Sequence, residues 1–402
     1  MKCSTKIQNV QSDIRGPLYV EATKMEAAGE KILKINSGNP AIFGLCAPDS
    51  VKNAIKEHID RAVPYCDFRG MPEARAAIRK YYSEKGINDI NENSIYIGNG
   101  VSELADISIS VLLEEGDEIL LPNPCYPLWS NCTIKVGAKP IYYTCDEGAN
   151  WYPDVDDIRR KVTKKTKAIV IINPNNPTGA LYPDENLIAI ADIARKNGLM
   201  ILSDEIYDRL LFDGAVHTPM AKLAPDIPVV TYNGFSKSHN ICGYRAGFMV
   251  VTGPEKETDE FRAFVDKLTS LRLCAGAIPQ LIIPAALSDR QSTIDMLSPG
   301  GGLYERRRAT IEAMEKSDTM SFVKNTGALY MFPRIKSDYV INDDREFASI
   351  LLHEEHILLV PGSGFHYSTP DHFRIVMLPK PEQLHSAIES IDRVIKKHFS
   401  KH

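Results

Sequence analysis

Residues 234–247 read GFSKSHNICGYRAG. The run before them, PVVTYN (228–233), is β-branched and aromatic and predicts a strand, and AGFMVV (246–251) predicts another. Lysine is ordinarily a solvated surface charge. Lys237 instead falls in a tight connection between two buried strands. Two readings are open on this segment alone. Lys237 is a loop lysine held near the surface, or it is an amine brought inside for chemistry. A desolvated lysine has a lowered pKa and can act as a nucleophile or form a Schiff base.

Upstream the chain alternates helix and strand. VKNAIKEHIDRAV (51–63) and PEARAAIRKYYSEKG (72–86) predict amphipathic helices, the second with Pro72 near its start and Gly86 at its end. SIYIGNG (94–100) predicts a strand, and SELADISISVLLEEG (102–116) a helix. EILLPNP (118–124), GAKPIYYTC (137–145) and AIVII (168–172) predict strands, PDENLIAIADIARKNG (183–198) a helix and LMILSDEIY (199–207) a strand. Continuous apolar strands separated by helices imply an α/β fold: a mainly parallel central sheet covered by helices on both faces. Ligands in such folds sit beyond the carboxyl ends of the strands.

Near residue 290 the rhythm changes. GGLYERRRATIEAMEKSD (301–318) predicts a long helix, and GALYMFPRI, REFASILLHEEH and HFRIVML a smaller α+β unit. No sheet strand is read before residue 95, so the N-terminal arm is expected to pack with that unit. The expected division is 1–46 for the arm and part of a small domain, 47–288 for a large domain and 289–402 for the rest of the small domain.

The composition is that of an ordinary soluble protein, 44% hydrophobic and 25% charged. A net charge of −5 gives no general attraction to nucleic acid or to anionic membrane. TKKTK (163–167) and ERRR (305–308) read as a solvated turn and an exposed helix face. No apolar run is long enough to span a bilayer, and MKCSTKIQNVQSD lacks the apolar core of a signal peptide. The eight cysteines are scattered without metal-ligand spacing, so no metal is expected and reduced thiols in a cytoplasmic protein are. Cys125 and Cys242 read as small core residues.

Three strand-end motifs accompany Lys237. GNGVSELAD (98–106) leads a glycine turn into a helix N-terminus, which offers backbone N–H groups to a phosphate, with the Ser102 hydroxyl beside them. NPNNPTG (173–179) is a proline-stiffened loop, one of its Asn-Pro bonds a candidate for cis, that positions Asn176. SDEIY (203–207) puts Asp204 at the end of an apolar strand with Tyr207 three residues on. A carboxylate at the mouth of a buried sheet needs a cationic partner, and a protonated ring nitrogen would serve. A lysine for an imine, an aspartate for a pyridinium, a tyrosine and an asparagine for a phenolate oxygen, and an arginine with a helix N-terminus for a phosphate are the contacts that pyridoxal 5′-phosphate requires.

With these motifs in order, the chain resembles the fold type I, pyridoxal-phosphate-dependent aminotransferases of class I/II over nearly its whole length. INSGNPAIFG, YIGNGVSELAD, ALYMFP and PDHFRIVMLP are similar to bacterial-type glutamate–pyruvate (alanine) aminotransferases. The resemblance implies that Lys237 is the Schiff-base lysine and proton carrier and that Asp204 pairs with the pyridine nitrogen. It implies that Tyr207 and Asn176 contact the phenolate oxygen and that Tyr126 stacks on the ring. Arg245, Ser236, Ser102 and the backbone of Val101 would hold the phosphate. Tyr65, in YCDFRGMPEAR, would reach the neighbouring subunit's phosphate site in a homodimer. Arg374 would grip the substrate α-carboxylate, with Gly38 and Asn176 beside it, and Arg15 would meet the side-chain carboxylate of glutamate. A buried ion pair is the other reading of Arg374, core packing that of Tyr126, and a mobile arm that of Arg15. Two positions depart from the family pattern: Gly234 stands where some members carry a serine, and Ala74 where leucine is common. HYSTPDHF (366–373) reads as a wall of the site.

The activity implied is ping-pong transfer of an amino group between an amino acid and a 2-oxo acid, with L-alanine and 2-oxoglutarate giving pyruvate and L-glutamate as the expected pair. Aspartate, branched-chain or aromatic donors, or a C–S lyase on the same fold, are the alternatives.

Overall fold

The computed structural model describes residues 3, 5–10 and 13–400. Eight strands make the central sheet: β1 (Ile95–Asn99), β2 (Glu118–Asn123), β3 (Lys139–Asp146), β4 (Tyr152–Pro153), β5 (Thr166–Ile172), β6 (Met200–Asp204), β7 (Val229–Gly234) and β8 (Ala246–Thr252). Their order is β1-β8-β7-β6-β5-β2-β3-β4. The run from β7 to β3 is parallel; β8 is inserted antiparallel between β1 and β7, and β4 closes the other edge antiparallel.

The period-two geometry of a strand sends alternate residues to opposite faces. In β5, Ile169 and Ile171 enter the core beneath the helix Asp184–Asn197, while Ala168, Val170 and Ile172 face the helices Val101–Leu112 and Glu255–Leu271. On the first face a further cluster seats the helix Pro72–Glu84 on Ile95, Ile97, Phe248 and Val250 through Ala74, Ile78 and Tyr82. Ala74 has no accessible surface, so the small residue matches the space. The helix read over 51–63 runs Asp49–His58 and tightens into a 3₁₀ turn, Ile59–Ala62, before Pro64 ends it.

The C-terminal helices Gly302–Glu315, Asp344–Glu355 and Pro381–His398 enclose their own apolar cluster with Ile35 of the arm. A two-residue strand does precede residue 95: Leu33–Lys34 pairs in parallel with Ile357–Leu358, outside the central sheet. This pairing ties the arm to the C-terminal unit.

The sheet register sets the site. Ile172 of β5, Asp204 of β6 and Tyr232 of β7 are successive partners across the ladder. The loops that leave these strand ends are therefore neighbours in space. β7 pairs with β8 as far as Gly234 opposite Gly247, so residues 235–246 form the return of a hairpin at the same sheet end.

Candidate active site

A cavity of about 610 Å³ opens at those strand ends. It is lined by Arg15, Gly38, Val101, Ser102, Tyr126, Asn176, Asp204, Tyr207, Ser236, Lys237, Arg245 and Arg374. Tyr65 is the sequence-predicted site residue that lies elsewhere; the residue is 79% exposed, away from the cavity of its own chain.

The Lys237 ammonium donates to the Gly38 carbonyl and stands 3.7 Å from the Cys242 sulfur. Burial and the Arg374 charge act to lower its pKa, but the Tyr330 phenol, the Cys242 thiol and the Tyr126 phenol act the other way, and the balance is raised. The direction is opposite to that expected from burial alone. Cys242 is likewise not a core residue. It is half-buried, lines the cavity and donates to the Ser236 carbonyl at 2.9 Å, whereas Cys125 is fully buried as expected.

Asp204 is 5% exposed. Oδ1 accepts the Ile206 backbone N–H and Oδ2 accepts the Trp129 indole N–H, both at 3.3 Å. Among the described residues no lysine, arginine or histidine pairs with it. Burial therefore dominates and pushes its pKa up to about 6. A buried carboxylate that faces the cavity with no cation paired to it has the chemistry that a pyridinium nitrogen complements.

Arg374 is 1% exposed on its short strand, Phe373–Val376. Nη1 donates to Asn176 Oδ1 at 2.9 Å, Nη2 to the Asn36 carbonyl, and Nε has no partner. Its guanidinium lies 4.6 Å from the Tyr330 ring centre and 4.7 Å from that of Phe365. No carboxylate reaches it among the described residues, so the buried ion pair is not what holds this arginine. Burial lowers its pKa without removing its charge at any physiological pH.

At the far end of the cavity the helix Val101–Leu112 starts without a side-chain cap, leaving its first N–H groups free. Arg245 Nη1 contacts Ser236 Oγ at 3.5 Å and the Cys242 carbonyl at 2.9 Å. Free amides, two hydroxyls and a guanidinium make a cradle that suits a phosphate. The Gly234 departure has a steric reason: a Cβ there would stand 2.7 Å from the Ala246 carbonyl oxygen, so no serine fits without displacing β8. At Gly38 a Cβ would meet the Tyr330 hydroxyl at 2.4 Å, so only glycine admits the phenol beside Lys237.

Tyr126 is half-buried on the cavity wall rather than lost in the core. The Asn173–Pro174 bond in NPNNPTG is cis. Arg15 is exposed at the rim, and the turn that carries it is pinned by Asn36 Nδ2 donating to the Ile14 carbonyl at 2.9 Å. Residues 366–373 do not line the cavity. His366 stacks on Tyr142, and Tyr367 and His372 pack on Trp151, which corrects the reading of HYSTPDHF as a wall. Tyr330 was not singled out in the sequence. Its hydroxyl is 2.9 Å from that of Tyr207, and its ring carries Arg374. The signal available was its place in GALYMFP, one strand from Arg374: Tyr330 pairs with Val376.

One cavity at the carboxyl ends of the sheet thus gathers a lysine, a buried carboxylate with no cation paired to it, a tyrosine pair and a cradle suited to phosphate. Comparison with known proteins agrees. The chain belongs to the class I and II aminotransferase family, whose model matches residues 30–391. It is 47% identical over 393 residues to the glutamate-pyruvate aminotransferase AlaA of Haemophilus influenzae, covering 98% of this chain and 97% of that one. It is 43% identical over 390 residues to the alanine aminotransferase of Mycobacterium tuberculosis, with coverage of 96% and 91%. A crystal structure of an aminotransferase from Escherichia coli superposes with a TM-score of 0.97 at 43% identity, covering all of both chains. The protein is an aminotransferase; its cofactor is pyridoxal 5′-phosphate and its substrates are amino and 2-oxo acids.

Proposed function

We propose that this chain transfers the amino group of L-alanine to 2-oxoglutarate, giving pyruvate and L-glutamate by a ping-pong route. The observation that carries the reading is Arg374, a buried guanidinium without a carboxylate of its own, in the same cavity as Lys237 and Asp204. Such a group binds a carboxylate through a planar fork. Arg374 takes the α-carboxylate of either substrate, with Asn176 and the Gly38 backbone beside it. Arg15, at the rim, takes the second carboxylate of glutamate or 2-oxoglutarate. The names and identities of the alanine aminotransferases above support this pair over aspartate, branched-chain or aromatic donors.

When bound, the cofactor supplies an electron sink for the α-carbon. Asp204 would hold its ring nitrogen protonated, and Tyr126 would cover the ring. Tyr207 and Asn176 would donate to its phenolate oxygen. Ser102, Ser236, Arg245 and the Val101 amide would hold its phosphate. Lys237 Nζ, as a free amine, would take the substrate α-proton and carry it during the transfer. The domain division at 46/47 and 288/289 belongs to the same reading, since the cavity takes residues from both units. So does a homodimer in which Tyr65 serves the partner's phosphate site; its exposure, with Val63 at 82% and Leu271 at 80%, supports an unfilled apolar surface there. Eight free thiols are in keeping with a reducing cytoplasm.

The test is an absorbance spectrum of the purified protein with pyridoxal phosphate. Alanine should remove the visible band of the bound cofactor and 2-oxoglutarate should restore it. A band that ignores alanine but answers another amino acid moves the specificity. Pyruvate formed from cysteine without an acceptor would instead indicate the C–S lyase. Lys237→Ala should abolish turnover, and full activity in that variant would end the assignment.

A further inference from the structure

Trp129 is the largest side chain with no accessible surface, and it sits at the start of the helix Leu128–Val136 immediately after β2. Its ring meets Tyr232 of β7 edge-on at 5.2 Å, and its carbonyl accepts the Thr133 hydroxyl at 2.8 Å. The indole is thus fixed by a helix and by the strand next to the one bearing Asp204. Its N–H points at Asp204 Oδ2, 3.3 Å away. We propose that Trp129 is a positioning residue for the reaction: its indole N–H orients the Asp204 carboxylate and favours its ionised form. This rests on the reading of Asp204 as the partner of the cofactor's ring nitrogen.

The chemistry of the donor is the argument. An indole N–H donates, never accepts and never titrates. A lysine or arginine in its place would hold Asp204 ionised but would cancel the charge that the ring nitrogen needs. A histidine would do the same below its own pKa. Trp129 supplies a hydrogen bond to the ionised form, which favours that form, and adds no charge. Asp204 has one donor on each oxygen, Ile206 N and Trp129 Nε1, and its remaining lone pairs face the cavity. The titratable groups that face Asp204 are Cys125, Tyr126, Tyr207 and Tyr232. Burial pushes every one of them up, so all are neutral over the working range. No neighbouring charge duplicates what the indole does.

The test replaces Trp129 by β-(3-benzothienyl)alanine, which keeps the ring volume and puts sulfur where the N–H was; Trp129→Phe is the second variant. Two readouts are taken on the full chain besides turnover. One is the titration midpoint of the Asp204 carboxyl in cofactor-free protein, from the carboxyl ¹³C signal that Asp204→Asn lacks. The other is pyridoxal phosphate affinity. Loss of one charge-assisted hydrogen bond should raise the midpoint by about one pH unit and weaken cofactor affinity about ten-fold. kcat should fall with KM for alanine unchanged, and the melting temperature of the isosteric variant should hold. An unchanged midpoint and affinity overturn the proposal, as does a variant whose only change is a lower melting temperature. If the wild type binds no pyridoxal phosphate, the reading of the site fails, while the Asp204 midpoint still decides the role of the indole.

Discussion

Asp204 shows at the scale of one residue how a site is maintained against stability. Its ordinary pKa of 3.8 rises to about 6 in the folded chain because burial penalises the charged form. The folded state therefore holds the proton more tightly than the unfolded state. Between about pH 4 and pH 6 the unfolded state gives up its proton first, so stability falls as pH rises through that window and stays low above it. At roughly 1.4 kcal/mol per pH unit, the move from 3.8 to about 6 amounts to about 3 kcal/mol at neutral pH. Asp204→Asn should then stabilise the cofactor-free protein at pH 7 by up to about that amount, and the gain should shrink to a small fraction near pH 4 and vanish below it, where the carboxyl is neutral folded and unfolded. Turnover in the same variant should drop by several orders of magnitude. Denaturant unfolding at the two pH values, beside a steady-state assay, checks both halves. A variant no more stable at pH 7 than at pH 4 would contradict the burial cost. The Asp204 assignment was readable because a carboxylate ending LMIL has few explanations. Tyr330 was not, because one aromatic in a buried aromatic strand looks like any other. Cys242 was misread for a related reason: sequence distinguishes small from large, but not a core from the rim of a cavity.

At the scale of elements, the cavity depends on how closely β8 approaches the first turn of the helix Val101–Leu112. A Cβ on Gly247 would lie 2.7 Å from both the carbonyl carbon of Gly100 and the amide nitrogen of Val101. Both contacts are with backbone, which cannot rotate away as a side chain does. Gly247→Ala should push the helix start off the sheet and spread the amides that cradle the phosphate. The expected cost is about 1–3 kcal/mol of stability, typical of overpacking, with cofactor affinity reduced several-fold. Gly148→Ala, outside the cavity and with only the Asp146 carboxylate at ordinary contact distance from its Cβ, is the control and should be silent. Unfolding curves and a cofactor titration on the two variants decide it. Equal behaviour would mean that the helix start tolerates displacement. The strands themselves were legible from their apolar runs, and the helices from their period and caps. The direction of β8 was not, because AGFMVV has the same pattern read parallel or antiparallel. Only pairing with β1 and β7 reveals that the lysine loop is a hairpin return.

At the scale of the whole molecule, one protomer assembles all but one of the residues that the sequence nominated. The order of the motifs along the chain carried that information, because parallel strands bring their carboxyl ends to one edge whatever the sequence distance between them. Tyr65 is the exception. It stands exposed, away from the cavity of its own chain, as the proposed homodimer requires. A hydroxyl–phosphate hydrogen bond across a dimer makes a definite prediction about mixtures. Tyr65→Ala should weaken cofactor affinity about ten-fold, the value of one bond to a charged group, and lower turnover accordingly. Lys237→Ala should be inert. In a heterodimer of the two variants, the site that keeps Lys237 receives Tyr65 from the other chain and is wholly native. Co-refolding a small share of Tyr65→Ala with excess Lys237→Ala should therefore raise turnover per intact lysine above that of the Tyr65→Ala protein alone, towards the wild-type value. If Tyr65 acts within its own chain, or only packs, the lysine-bearing site gains nothing from its neighbour and turnover per lysine stays at the level of the single variant.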